Sequence, residues 1–153
     1  MDKEKFNKCL PFIFQHEGYR SEDANDPGGL TIWGIASAFY PKEVAEMDKM
    51  KPEESQKIAA EIYYKNYWLA LKCDNYMEKR ALIIFDTGVN MGATIVRHWL
   101  EELGNGFDFE VLLLRRIKRY ADICNMNSTR KVFLHGWINR CMDLWLYKFD
   151  EKK

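Results

Sequence analysis

Between His16 and Ala36 the chain reads HEGYRSEDANDPGGLTIWGIA, and four carboxylates, Glu17, Glu22, Asp23 and Asp26, fall within ten residues. Glu17 continues the apolar stripe of Phe6, Cys9, Leu10, Ile13 and Phe14 at helical spacing, and Gly18 ends that helix. A carboxyl group at such a place loses solvation and meets the negative end of the helix dipole, and both effects favour a protonated form. Glu17 is therefore placed to act as a general acid. Scission of a glycosidic bond needs such a donor, together with a second carboxylate that activates water or steadies the sugar cation. Asp26, after eight intervening residues, and Asp23 compete for that second part, and Thr31 is placed to hold a water through its hydroxyl. The structural alternative is a solvated turn with Asp26 in an Asx-turn before Pro27, and Glu17 paired with Arg20 or Arg80.

These residues need a frame. Helical periodicity predicts a first helix through Pro11 to Glu17, and Tyr19 to Ile35 reads as an irregular lobe with short strands around Asp26-Pro27-Gly28-Gly29. Pro52 opens a helix that runs through Ile58, Ile62 and Tyr63 towards Trp68. Further helices are expected at about 79–91, 93–103 and 109–124. A last one is capped by Ser128 or Thr129 and turns Phe133, Trp137, Cys141 and Leu144 inward. The expectation is a mainly α single domain over 1–153 with a small β-prone lobe near the N-terminus.

Other residues are candidates for binding. Tyr63, Tyr64, Tyr67 and Trp68 are too dense to be wholly inward, so Tyr64 and Trp68, with Tyr19 and Trp33, are assigned to a sugar-stacking surface, against core packing as the alternative. Asp86 and Asn90 share a face of an otherwise apolar helix and either read an N-acetyl group or order the structure around Glu17. His16, His98 and His135 lack metal-ligand spacing, so neither a metal nor a cofactor is expected. Cys9, Cys73, Cys124 and Cys141 form no CxxC pair and read as reduced thiols. The basic run 115–119 reads as a solvated helix side, with an anionic polymer as the alternative partner.

Composition narrows the partners. Lys and Arg number 23, as do Asp and Glu, so no net field draws the chain to nucleic acid or an anionic membrane. The N-terminal stretch MDKEKFNKCLPFIFQ has no cleavage site or spanning run, which implies synthesis in the cytoplasm and no stable membrane association.

The first block resembles the Glu-Gly-Gly-Tyr...Asp-Pro-Gly-Gly-x-Thr-x-x-Gly-Ile signature of glycoside hydrolase family 108, the N-acetylmuramidases found as phage and prophage endolysins and also called secretion-activating proteins. The resemblance continues in IYYKNYW, FDTGVNMG and, more weakly, FLHGWINR. It implies a lysozyme-like fold and cleavage of the β-1,4 bond after N-acetylmuramic acid in peptidoglycan, with Glu17 as the acid. The Glu17, Asp26, Thr31 spacing is similar to the catalytic set of phage lysozymes, one residue short between Asp26 and Thr31, which ranks Asp26 above Asp23. Catalytic motifs would then occupy about 1–92, and about 93–153 a degenerate peptidoglycan-binding-like region of C-terminal helices. A monomer acting on the wall after holin-type or other non-classical release completes the expectation. Gly18-Tyr19 replaces the family's double Gly, and this departure supports the rival reading, a non-catalytic wall-binding or secretion-associated module.

Overall fold

Helix α1, Glu4–Glu17, forms because Phe6, Cys9, Phe12 and Ile13 recur at three- and four-residue intervals and bury one face. Pro11 lies on the exposed side and the helix runs through it. At the end of α1 Gly18 takes φ 71°, and its N–H donates to the Phe14 carbonyl at 3.0 Å. The computed structural model describes residues 3–23 and 28–149, so Asp26, the preferred second carboxylate, lies outside the described residues. The chain divides into two units, 1–68 and 69–153.

The first unit continues from α1 into a three-stranded antiparallel sheet of β1 (Arg20–Ser21), β2 (Thr31–Ile32) and β3 (Ile35–Ala36), in that order. Ile32 and Ile35 turn into the core. Helices α2 (Pro41–Met47) and α3 (Pro52–Tyr63) each begin with proline, whose fixed φ suits a first helical turn. The sequence reading omitted α2, although Val44 and Met47, three residues apart, form its buried face. A widened π-helical turn, Tyr64–Leu69, prolongs α3.

In the second unit α4 (Glu78–Met91) is buried without interruption from Ala81 to Gly88 and packs against α5 (Ala93–Leu103), α6 (Phe109–Met126) and α7 (Lys131–Leu146). A helix enclosed on every side shows no single apolar stripe. The cap expected at Ser128 or Thr129 belongs instead to Asn127, whose Oδ1 accepts from the Thr129 N–H at 3.1 Å. A short 3-10 turn, Ser128–Arg130, separates this cap from α7. Phe133 is 47% exposed rather than inward; its ring stacks beside Trp137, which stacks on Tyr120. The basic run is not one charged face. Arg115 pairs with Glu102, Lys118 pairs with Asp122, and Arg116 is buried.

All four cysteines are free and buried. Among the described residues no helix is long and apolar enough to cross a membrane.

Candidate active site

Glu17 is the last residue of α1, partly exposed, at the point where Gly18 turns the chain out into β1. The positive φ falls on Gly18; Tyr19 stays out of the left-handed region. The replacement of the second Gly by Tyr therefore demands no backbone conformation that tyrosine resists.

Across from Glu17 stands the β2–β3 hairpin. Ile32 pairs with Ile35, and Trp33 and Gly34 form the two-residue turn between them with φ 51° and 81°. Positive φ at both central positions is what a tight hairpin of right-twisted strands favours. For tryptophan this conformation is strained, on the order of 1–3 kcal/mol, and must be held by its surroundings. Its N–H donates to the Tyr19 carbonyl at 2.7 Å, its indole Nε1 donates to Ser55 Oγ at 3.0 Å, and its carbonyl accepts from Tyr63 Oη at 2.7 Å. The indole also meets the Phe14 ring edge-on at 5.2 Å and the Tyr19 ring at 5.1 Å. Tyr19 and Trp33, both assigned to a sugar surface, are thus partly buried neighbours in the wall beside Glu17.

The turn is pressed onto the acid. A Cβ on Gly34 would stand 2.7 Å from Glu17 Cγ and 2.8 Å from Glu17 Oε2, and would collide with Tyr63 Oη. Any side chain at Gly34 would displace the carboxyl, the phenol, or both.

Tyr67 approaches the same place, its ring 5.7 Å from that of Tyr63. Its hydroxyl is hydrogen-bonded with that of Tyr40, which in turn accepts from Asn66 Nδ2 at 2.9 Å. Burial pushes the Tyr67 phenol up to about 12, and Tyr40 and the nearby Glu17 carboxylate act in the same direction. Tyr67 is therefore a neutral hydroxyl beside Glu17 over the whole physiological range.

Thr31 lies on β2 opposite Ser21 and Ala36, and its Oγ1 donates to the Gly29 carbonyl at 3.4 Å, a long bond that a water or sugar hydroxyl can replace. Asp23 is exposed. The two arginines considered as partners of Glu17 have other engagements: Arg20 pairs with Glu22 at 3.0 Å and Asp48 at 3.2 Å, and the Arg80 guanidinium lies 4.7 Å from the Phe109 ring centroid.

Three assignments need correction. Trp68 is 0% exposed and Tyr64 6%; both rings meet Phe6 edge-on, at 5.5 and 5.0 Å, and Lys3 Nζ lies over the Tyr64 ring. They are core residues, with no face left for a sugar. Asp86 is also 0% exposed, and its carboxylate receives Arg116 Nη1 and Arg140 Nη2, each at 2.7 Å. Burial opposes its charge, but the two guanidiniums overcome that and hold its carboxyl below the usual aspartate range. The network extends through Tyr120, which accepts from Arg116 Nε at 2.7 Å and donates to Oδ1 of partly exposed Asn90.

Tyr67, Tyr63, Tyr40 and Gly34 are the residues the sequence reading did not assign. The signal for Tyr63 and Tyr67 was their four-residue spacing, which sets them on one stripe of α3 and its extension, while Tyr64 and Trp68 form the adjacent one.

The model of the glycosyl hydrolase 108 family matches residues 10–92, a stretch that includes Glu17, Thr31, Trp33, Gly34, Tyr63 and Tyr67. The solved structure of Brucella abortus SagA is similar over 94% of this chain and 92% of that chain, with TM-score 0.70 and 22% sequence identity. At that identity the likeness bears on the fold, which is the mainly helical, lysozyme-like one expected. No curated protein sequence matches the chain.

Proposed function

The chain belongs to the glycosyl hydrolase 108 family, and on that premise we propose that it cleaves the β-1,4 bond after N-acetylmuramic acid in peptidoglycan, with Glu17 as the general acid. The observation that carries this reading is the placement of Glu17. It ends a helix buried on one face, with one carboxyl oxygen against the Gly34 turn and the neutral Tyr67 hydroxyl nearby.

In the proposed reaction Glu17 gives its proton to the glycosidic oxygen as the bond from that oxygen to the anomeric carbon breaks. A water, held by Thr31 or activated by Asp26, adds its hydroxyl to the anomeric carbon. The proton that this water releases restores Glu17 directly or through the second carboxylate. Tyr67 takes the part first given to Tyr64 and Trp68. Its partly exposed ring and neutral hydroxyl suit an apolar sugar face and a sugar oxygen respectively. We read both units as parts of one lysozyme-like domain whose chemistry is supplied by the first. The reading is supported at Tyr19 by the backbone, where the positive φ falls on Gly18.

The test is digestion of purified peptidoglycan followed by borohydride reduction and mass spectrometry. Reduced N-acetylmuramic acid at the new ends is the expected product. Reduced N-acetylglucosamine ends would move the cut to the other linkage, and binding to several walls without release of fragments would favour the non-catalytic module.

A further inference from the structure

We propose that Tyr63 is a positioning residue for the reaction: its phenol, by donating to the Trp33 carbonyl, clamps the left-handed Trp33–Gly34 turn against Glu17 and fixes where the carboxyl points. The inference rests on Glu17 as the acid and adds the device that aims it.

The two sides of this clamp come from distant parts of the first unit. Tyr63 closes α3, thirty residues beyond Trp33, and the 2.7 Å bond from Tyr63 Oη to the Trp33 carbonyl ties the helix to the tip of the hairpin. The tip is a poor turn by its own chemistry, since tryptophan resists positive φ, so it keeps its shape only while outside groups hold it. Two of these, Ser55 and Tyr19, hold the indole and the N–H; Tyr63 holds the carbonyl, the group leading directly into Gly34. Gly34 then converts the position of the turn into a position for the acid. Its missing side chain leaves a space narrower than a methyl group, bounded by Tyr63 Oη and by the Cγ and Oε2 of Glu17. The same phenol therefore both holds the turn and bounds the acid's seat. A general acid contributes fully only when its proton points at the leaving oxygen, so a small displacement lowers turnover more than binding.

Tyr63 is 1% exposed, and its ring also packs against Phe14, so removal of the whole side chain would unsettle the core. The informative variant is Tyr63→Phe, which keeps the ring and deletes the hydroxyl. We expect kcat on soluble peptidoglycan fragments to fall about tenfold with KM within about twofold. In the same variant the Glu17 side-chain carboxyl carbon signal, followed by NMR at fixed pH, moves. Tyr64→Phe, a buried tyrosine on the adjacent stripe, serves as the control that alters neither readout. Gly34→Ala supplies the second arm: it pushes on the same carboxyl from the turn side and shifts the same Glu17 signal. An unmoved Glu17 signal with wild-type kcat in Tyr63→Phe overturns the proposal. So does a uniform loss of melting temperature with kcat and signal preserved, which marks a merely structural hydroxyl. Should the wild type cleave no wall, the muramidase reading fails by itself, and the NMR signal still decides whether Tyr63 positions Glu17.

Discussion

At the scale of single residues, three uncharged groups stand by Glu17. Gly34 packs against it, Tyr63 bounds the same space, and Tyr67 is a neutral phenol whose ionisation burial makes harder still. Tyr67 differs from its neighbours Tyr64 and Trp68 in retaining exposed surface. Tyr67→Phe should therefore lower the melting temperature by no more than the loss of its hydrogen bond with Tyr40, while lowering kcat/KM roughly threefold to tenfold, the range of one hydrogen bond. Thermal unfolding and initial rates on the same preparation check it. An unchanged kcat/KM would remove the hydroxyl from substrate contact. The places of Glu17 at a helix end and of Thr31 on a short strand were legible from spacing alone, because Glu17 prolongs an apolar stripe and Thr31 follows a turn. Tyr67 was not legible. Two aromatic stripes one residue apart look alike in sequence, and only the partners, Phe6 on one side and the Glu17 region on the other, distinguish them. Asp86 could not be resolved from sequence for a related reason. A polar pair on an apolar helix shows that partners exist, and those partners, Arg116, Arg140 and Tyr120, come from helices far along the chain.

Among the elements, the β2–β3 hairpin does the most with the least sequence. Four paired residues and a two-residue turn carry the wall of the site, and the turn depends on groups outside the hairpin. Ser55 is 0% exposed and sits on α3, where it accepts from the Trp33 indole and donates to the Pro52 carbonyl. Ser55→Ala would leave the indole N–H without this partner, at a cost of about 1–3 kcal/mol. Urea unfolding should show that loss as a lower midpoint with unchanged slope, and a midpoint equal to the wild type would mean that the indole is held adequately by packing alone. Helices α1, α3, α4, α5 and α6 were readable within a few residues, since Gly18, Pro52, Gly92 and periodic apolar residues mark them. The hairpin was readable only as a tendency towards short strands. Tryptophan is a residue that local turn chemistry would not choose for positive φ, so its conformation follows from tertiary contacts.

For the whole molecule, the buried ion network and the proposed chemistry involve different groups. The second unit is organised around Asp86, a buried carboxylate between two arginines, and the first around a hairpin leaning on Glu17. Asp86→Asn leaves two buried guanidiniums without their counter-charge and should cost about 3–5 kcal/mol. The pH dependence has a definite sign. Asp86 has its folded pKa depressed, so its contribution is fully present above the ordinary aspartate value of about 3.9 and is lost as pH falls below it towards the folded value. Acid unfolding profiles of wild type and Asp86→Asn should therefore differ most at neutral pH and converge towards pH 2; a constant difference across that range would contradict this role. Family membership and the mainly helical fold were legible in the ordered motifs from Glu17 to Gly92, whereas the site's depth was not, because it depends on contacts between α1, the hairpin and α3.

The most direct measurement is the turnover number of Glu17→Gln beside the wild type on purified peptidoglycan, with both proteins shown to be folded by circular dichroism and thermal unfolding. Glutamine keeps the size and hydrogen-bonding reach of the side chain but has no carboxyl proton to give. The account predicts a fall of at least about a hundredfold, the scale of a general acid's contribution, with binding to the wall retained. Wild-type turnover in Glu17→Gln would contradict it, and the acid would then have to be sought among the other carboxylates of the loop.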